Sequence, residues 1–139
     1  MVLYWHVTES GRNKVADAIQ SFETNTRMIE KICLTLELVE NTEYAKLISS
    51  QELKKILHHE KAKRINLHEV VIKDGRLQFR IFCRVDGEDL IFLETQYKNK
   101  DGSKYNDSIE NAYDRYQRII NGYDKKEGKS IKEFKFYVV

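Results

Sequence analysis

The chain has 139 residues, 41% of them hydrophobic, which is enough for one core that needs neither disulfides nor metal to hold it. Its 24 lysines and arginines stand against 22 acids, and a balance of +2 excludes a uniformly basic nucleic-acid binder and leaves any anion site to local clustering. The start, MVLYWHVTES, lacks a basic segment followed by an apolar one, and no run of eighteen apolar residues occurs, so the expectation is a soluble cytoplasmic protein with no membrane association.

There is no proline, no low-complexity tract and no internal repeat, so residues 1–139 read as a single domain. Val2 to Val7 predict a strand, and the Glu9-Ser10-Gly11 turn leads into a helix with Val15, Ala18, Ile19 and Phe22 on one stripe. Met28, Ile29, Ile32, Cys33, Leu36 and Val39 keep helical spacing from Thr26 to Glu40, which predicts an antiparallel helix pair covering one face of a sheet. Ser49-Ser50-Gln51-Glu52 has capping-box spacing and predicts a short third helix carrying Leu53, Ile56 and Leu57. The other face of that helix would be basic, with Lys54, Lys55, His58, His59, Lys61, Lys63 and Arg64 gathered around its end.

From Leu67 to Lys100 three strand-like runs are joined at Asp74-Gly75 and Asp86-Gly87, each read as a two-residue type I′ turn closing a hairpin. Ser103 to Ile120 reads as a helix on the spacing of Ile109, Ala112, Tyr113, Tyr116 and Ile120, stopping at Asn121-Gly122. The tail, Ile131 to Val139, alternates and predicts a last strand. Cys33 and Cys83 both fall on apolar faces, as free structural thiols in a reducing compartment do.

In the middle meander strand Leu77, Phe79, Ile81, Cys83 and Val85 point one way and Gln78, Arg80, Phe82 and Arg84 the other. A two-residue turn at Asp74-Gly75 sets Val71 opposite Gln78, Val70 opposite Phe79 and Glu69 opposite Arg80. The Glu69–Arg80 pair has two readings. One is a half-exposed ion pair worth about 0–1 kcal/mol; the other is a guanidinium aimed by Glu69 at a phosphate, which its planar fork grips bidentately. Lys73, Arg76, Lys98 and Lys100 lie at the ends of these strands. No histidine pair has helical i, i+4 spacing, and no metal or other cofactor is expected.

The order of strand, helix pair, short helix, three-strand meander and helix resembles the RelE/ParE superfamily of bacterial toxins, in its HigB-like, phage-derived branch. The resemblance is carried by Ser10-Gly11-Arg12-Asn13-Lys14-Val15, Leu36-Glu37-Leu38-Val39-Glu40, Leu67-His68-Glu69, Phe79-Arg80-Ile81-Phe82, Val85-Asp86-Gly87 and Leu90-Ile91-Phe92-Leu93, over roughly Tyr4 to Ile120. It implies an α+β, single-domain RelE/ParE-like fold: an antiparallel β-sheet with the N-terminal helix pair on one face, a C-terminal helix, and residues 123–139 as a C-terminal extension. It also implies the toxin of a type II toxin–antitoxin system, a metal-independent, ribosome-dependent mRNA endonuclease in which an RNA 2′-hydroxyl attacks the neighbouring phosphate. Its partners would be a cognate antitoxin and mRNA on the ribosome. Arg80, Lys98 and Lys100 match the family's phosphate-contacting positions, Tyr105 (with Tyr97 as its alternative) the catalytic tyrosine, and His68 is a candidate for proton transfer. Lys54, Lys55, Lys73, Arg76 and Arg84 are the candidate RNA-binding residues. Val71 stands where many members carry an arginine, and this difference motivates the alternative of a non-catalytic protein on the same scaffold that binds and inhibits a host protein.

Overall fold

The computed structural model describes residues 1–98 and 104–136. Among them, β1 (Val2–Val7), α1 (Lys14–Gln20), α2 (Thr26–Glu40), α3 (Tyr44–Ser49), β2 (Lys54–Lys55), α4 (Glu60–Arg64), β3 (Leu67–Asp74), β4 (Leu77–Asp86), β5 (Asp89–Lys98), α5 (Tyr105–Ile120) and β6 (Lys125–Gly128) are followed by a 3-10 turn at Ile131–Glu133. The strands form one mixed sheet in the order β2-β3-β4-β5-β1-β6, an α+β fold.

The helix pair forms as its spacing predicts, and both starts are capped by asparagine: Asn13 accepts from the Ala16 N–H and Asn25 from the Met28 N–H, each at 3.1 Å. Val15, Ile19, Met28, Ile32, Leu36 and Val39 pack on one sheet face against Phe79, Ile81, Cys83 and Val85. The opposite face is also covered. Phe82, Ile91 and Leu93 lie fully buried under Ile109 and Ala112 of α5 and under Ile56, Ala62 and Ile65. Gly122, at φ +81°, ends α5 where Asn121-Gly122 predicts.

Four expectations are corrected. The sheet is mixed, not antiparallel, because β1 runs parallel to β5, with Leu3 opposite Leu90 and Trp5 opposite Phe92; parallel neighbours need a long connection, here everything between Val7 and Asp89. The β3–β4 hairpin closes one position later than expected. Asp74 pairs with Leu77, so Val71 faces Arg80, Val70 faces Ile81 and Glu69 faces Phe82. Gly75 and Gly87 (φ +62° and +60°) occupy the first central position of their turns, while Arg76 and Glu88 keep negative φ, the pattern of a type II′ turn. The faces are unchanged, since each strand moves by one residue.

The third helix at Ser49–Glu52 does not form. Helix α3 ends at Ser49, Gln51 takes φ +64°, and the chain becomes extended so that Lys54 and Lys55 pair with Glu69 and His68 at the sheet edge. The tail contributes a strand earlier than expected, with β6 pairing antiparallel to β1 through Tyr4–Gly128 and His6–Lys126. Ile131–Glu133 is 3-10 instead, held by a Ser130–Glu133 capping box and by Ser130 Oγ donating to Glu40 at 3.0 Å; residues 137–139 of the expected strand lie outside the described residues.

The tail and the first strand meet at Trp5, which is fully buried between Phe92 and Phe134, with its Nε1–H donating to the Lys129 carbonyl at 2.7 Å. Trp5→Ala should cost about 3–5 kcal/mol, read as a lowered urea midpoint. Trp5→Phe, which keeps most of the contact and loses one hydrogen bond, should cost about 1 kcal/mol plus a small packing loss.

Candidate functional site

Period-two alternation puts Gln78 and Arg80 of β4, Glu69 of β3 and Gln96 of β5 on the face that α5 covers. Arg80 Nη1 donates to Glu69 Oε1 and Nη2 to Gln78 Oε1, each at 3.0 Å. The other oxygen of Glu69 accepts from the Tyr105 hydroxyl at 2.6 Å. Tyr105 opens α5, which has no side-chain cap of its own; with its amide oriented to satisfy both ends, Gln96 accepts from the Lys104 and Tyr105 backbone N–H groups at 3.0 and 3.1 Å. The Arg80 guanidinium sits 5.3 Å from the centre of the Tyr105 ring, and the exposed His58 ring stacks on Tyr105 with centroids 5.9 Å apart.

The chemistry of this cluster follows from its burial. Burial raises the Tyr105 phenol far above its ordinary value, and the Glu69 hydrogen bond and charge raise it further against a smaller opposing effect of Arg80. The phenol therefore keeps its proton and acts as a donor. Arg80 is largely buried, and its Nε–H has no partner among the described residues. A buried donor without an acceptor is uncommon in folded proteins.

The remaining sequence candidates do not converge on one place. His68 is fully buried on the opposite sheet face, paired with Cys83. Its Nδ1–H donates to the Asn66 carbonyl at 2.9 Å, which leaves Nε2 to accept from the Tyr44 hydroxyl at 2.7 Å. Both nitrogens are used, so His68 is corrected from a proton-transfer candidate to a structural one; burial lowers its pKa, as does nearby Lys55, against the Asn66 bond. Tyr97 also lies on that opposite face, its ring 5.0 Å from Phe22, so it is not the alternative to Tyr105. Arg84 points to the α5 face but pairs with Asp86 at 3.2 Å and lies 4.7 Å from the Tyr116 ring centre. Lys73 and Arg76 are exposed at the β3–β4 turn, at the far end of β4 from Arg84. Lys54 and Lys55 are exposed on β2, where Lys54 pairs with Glu69, so they flank the Arg80 cluster. Lys98 ends β5 opposite Gln78, while Lys100 lies outside the described residues.

A second charged cluster carries no sequence signal beyond its residue types. His6, 1% exposed, shares 2.7 Å with Asp124, which is 5% exposed and 118 residues away. Asp124 also accepts from Arg118 Nε at 3.0 Å, Arg118 Nη2 at 3.3 Å and the Glu9 backbone N–H at 3.0 Å. Farther along α5, Arg115 Nη1 donates to Glu94 at 2.9 Å and to the Leu93 carbonyl at 2.8 Å, where the β4–β5 ladder shifts register.

Comparisons with protein-family models, with curated proteins and with solved structures returned no match.

Two outcomes follow from this geometry. Glu69→Ala leaves the Arg80 guanidinium buried without its acid and should cost about 3 kcal/mol by urea unfolding, the lower end for breaking a buried pair. Burial raises the Asp124 carboxyl, but the hydrogen bonds from Arg118 and His6 and their charges outweigh it and hold the group at about 2, below its ordinary 3.8. Its contribution is therefore present above 3.8 and lost as the pH falls toward 2. Asp124→Asn should remove that acid limb from a series of urea midpoints against pH.

Proposed function

We propose that this chain is the toxin of a type II toxin–antitoxin system and cuts mRNA at the ribosome, with Arg80 as the phosphate-binding group. The observation that carries the reading is the Arg80–Glu69–Tyr105 constellation: a guanidinium fixed in direction by a carboxylate, with a protonated phenol on the same carboxylate. The exposed His58 ring lies against that phenol, and Lys54 and Lys55 stand beside it at the sheet edge. The element order that underlies the RelE/ParE resemblance, and the helix pair on one face with the last helix on the other, support the same reading.

In the proposed reaction the RNA 2′-oxygen bonds to phosphorus, the bond to the 5′-oxygen breaks, and a cyclic phosphate and a 5′-hydroxyl remain. His58 takes the 2′-proton, since an imidazole can accept it and this ring faces solvent. The Tyr105 hydroxyl turns from Glu69 to protonate the leaving oxygen, the proton taken by His58 restores it after cleavage, and Arg80 stabilises the charge that develops on phosphorus. Gln78 is a neutral acceptor, and an ionised phosphate oxygen makes the stronger bond to the same guanidinium nitrogen.

One observation favours a second reading. Arg80 already has acceptors at both terminal nitrogens and is little exposed, as in a protein that uses this scaffold to bind and inhibit a host protein. Mapping of new RNA 5′ ends in a translating bacterial extract separates the two. The nuclease reading expects discrete, ribosome-dependent cuts that fall by about 10²–10³ in rate in Arg80→Ala, the scale of losing one transition-state donor. Tyr105→Phe, which removes only the hydroxyl, should also slow cutting. Intact messages from a folded and toxic wild type would contradict the nuclease reading and favour the inhibitor.

A further inference from the structure

At the end of β1, toward the opposite end of α5 from the Arg80 cluster, an open cleft of about 790 Å³ lies between the loop from Thr8 to Lys14 and the C-terminal half of α5. That volume is in the range of small-molecule sites. His6 and Asp124 line it, with Arg12, Lys14, Arg115 and Arg118 around them. Lys14 is exposed and has no acidic partner among the described residues, whereas the Arg12 guanidinium makes an exposed contact to Asp17 at 3.4 Å.

The protonation of the buried histidine is set by its neighbours. An ionised carboxylate only accepts, so the shared hydrogen with Asp124 sits on His6 Nε2. In the neutral ring Nδ1 is then a bare acceptor, and it is buried with no partner among the described residues. Burial keeps the ring neutral by lowering its pKa, against the Asp124 bond and charge and together with Arg115 and Lys14. His6 lines the cleft and carries one unpartnered, buried acceptor, and the cations nearby want an anion. Thr8, Ser10 and Asn111 add neutral polar groups of the kind that contact hydroxyls. Glu9 and Asp114 also line it and disfavour a ligand that is anionic throughout.

We propose that this cleft binds a hydroxyl-bearing phosphate ester of about mononucleotide size, the hydroxyl donating to His6 Nδ1 and the phosphate meeting Lys14 and Arg12. The site stands apart from the proposed nuclease cluster and does not depend on it. The ester could be a free nucleotide or sugar phosphate, or the phosphorylated end of an RNA chain.

The test is amide NMR of the full chain, wild type and Lys14→Glu, titrated separately with adenosine 5′-monophosphate, ribose 5-phosphate, a 5′-phosphorylated trinucleotide and inorganic phosphate. Saturable shifts confined to residues 6–14, 111–118 and 124, weakened at least about tenfold in Lys14→Glu, are expected for the esters. Tighter binding of the trinucleotide than of the monophosphates would assign the site to RNA ends, and equal or weaker binding to free esters; either supports the proposal. Absence of saturable shifts with every ester, an unchanged affinity in Lys14→Glu, or inorganic phosphate binding as tightly as the esters would overturn it. Lys14 is an exposed side chain outside the His6–Asp124 hydrogen bond, but its charge acts on His6, so Lys14→Gln, which removes the charge without reversing it, is titrated beside Lys14→Glu and should weaken the esters in the same direction.

Discussion

The structure depends on a sheet covered on both faces, one by an apolar layer and the other by a layer with charges built into it. Toward α1 and α2 the strands present Val70, Ile72, Phe79, Ile81, Cys83, Val85 and Phe92, and among the described residues His68 is the one fully buried polar group on that face. Toward α5 they present Glu69, Arg80, Arg84, Glu94, Gln96 and His6 between the apolar groups. Charges removed from water must find partners or lose several kcal/mol each. The position of α5 is therefore fixed by polar contacts as much as by packing: Tyr105 and Gln96 at its start, Arg115 on Glu94 in its second half, Arg118 on Asp124 at its end.

That arrangement creates the two places where chemistry is plausible on physical grounds. At the start of α5 a carboxylate holds an arginine and a phenol together, and the phenol is kept protonated by burial. At its end a carboxylate holds a histidine and an arginine together and leaves one buried ring nitrogen without a partner among the described residues. The sheet supplies rigid attachment for both. Arg80 is central in a ten-residue strand with neighbours on both sides, and side chains on such a scaffold keep their direction better than on loops.

Much of this was legible in the sequence where a period exists. Alternation in Leu77 to Val85 gives the correct faces, and the pairing of Glu69 with Arg80 survives a one-position change in the hairpin because it is made diagonally. The helix pair and the stop at Asn121-Gly122 follow from spacing and from glycine's access to positive φ. The short edge strands were not legible. Lys54–Lys55 and Lys125–Gly128 have no apolar alternation, since an edge strand pairs through its backbone and keeps charged side chains in water. Nor could sequence locate the His6–Asp124 contact, whose partners are brought together only when β6 and the turn after α5 close beside β1. His58 was read as part of a basic helix end, and its stacking on Tyr105 follows from the extended path through β2 that replaced that helix.

The central claim is that Arg80 is an anion-binding guanidinium held in aim by Glu69, and side-chain nitrogen NMR of Arg80 tests it most directly. The chain would be titrated with an RNA whose 2′-hydroxyls are methylated, so that it binds without being cut. The account predicts that the Arg80 Nε–H resonance, assigned by its loss in Arg80→Lys, shifts saturably as a phosphate oxygen supplies an acceptor that none of the described residues provides. An unmoved Arg80 resonance while RNA binds elsewhere on the protein would contradict it and leave the Glu69–Arg80 pair as a structural strut.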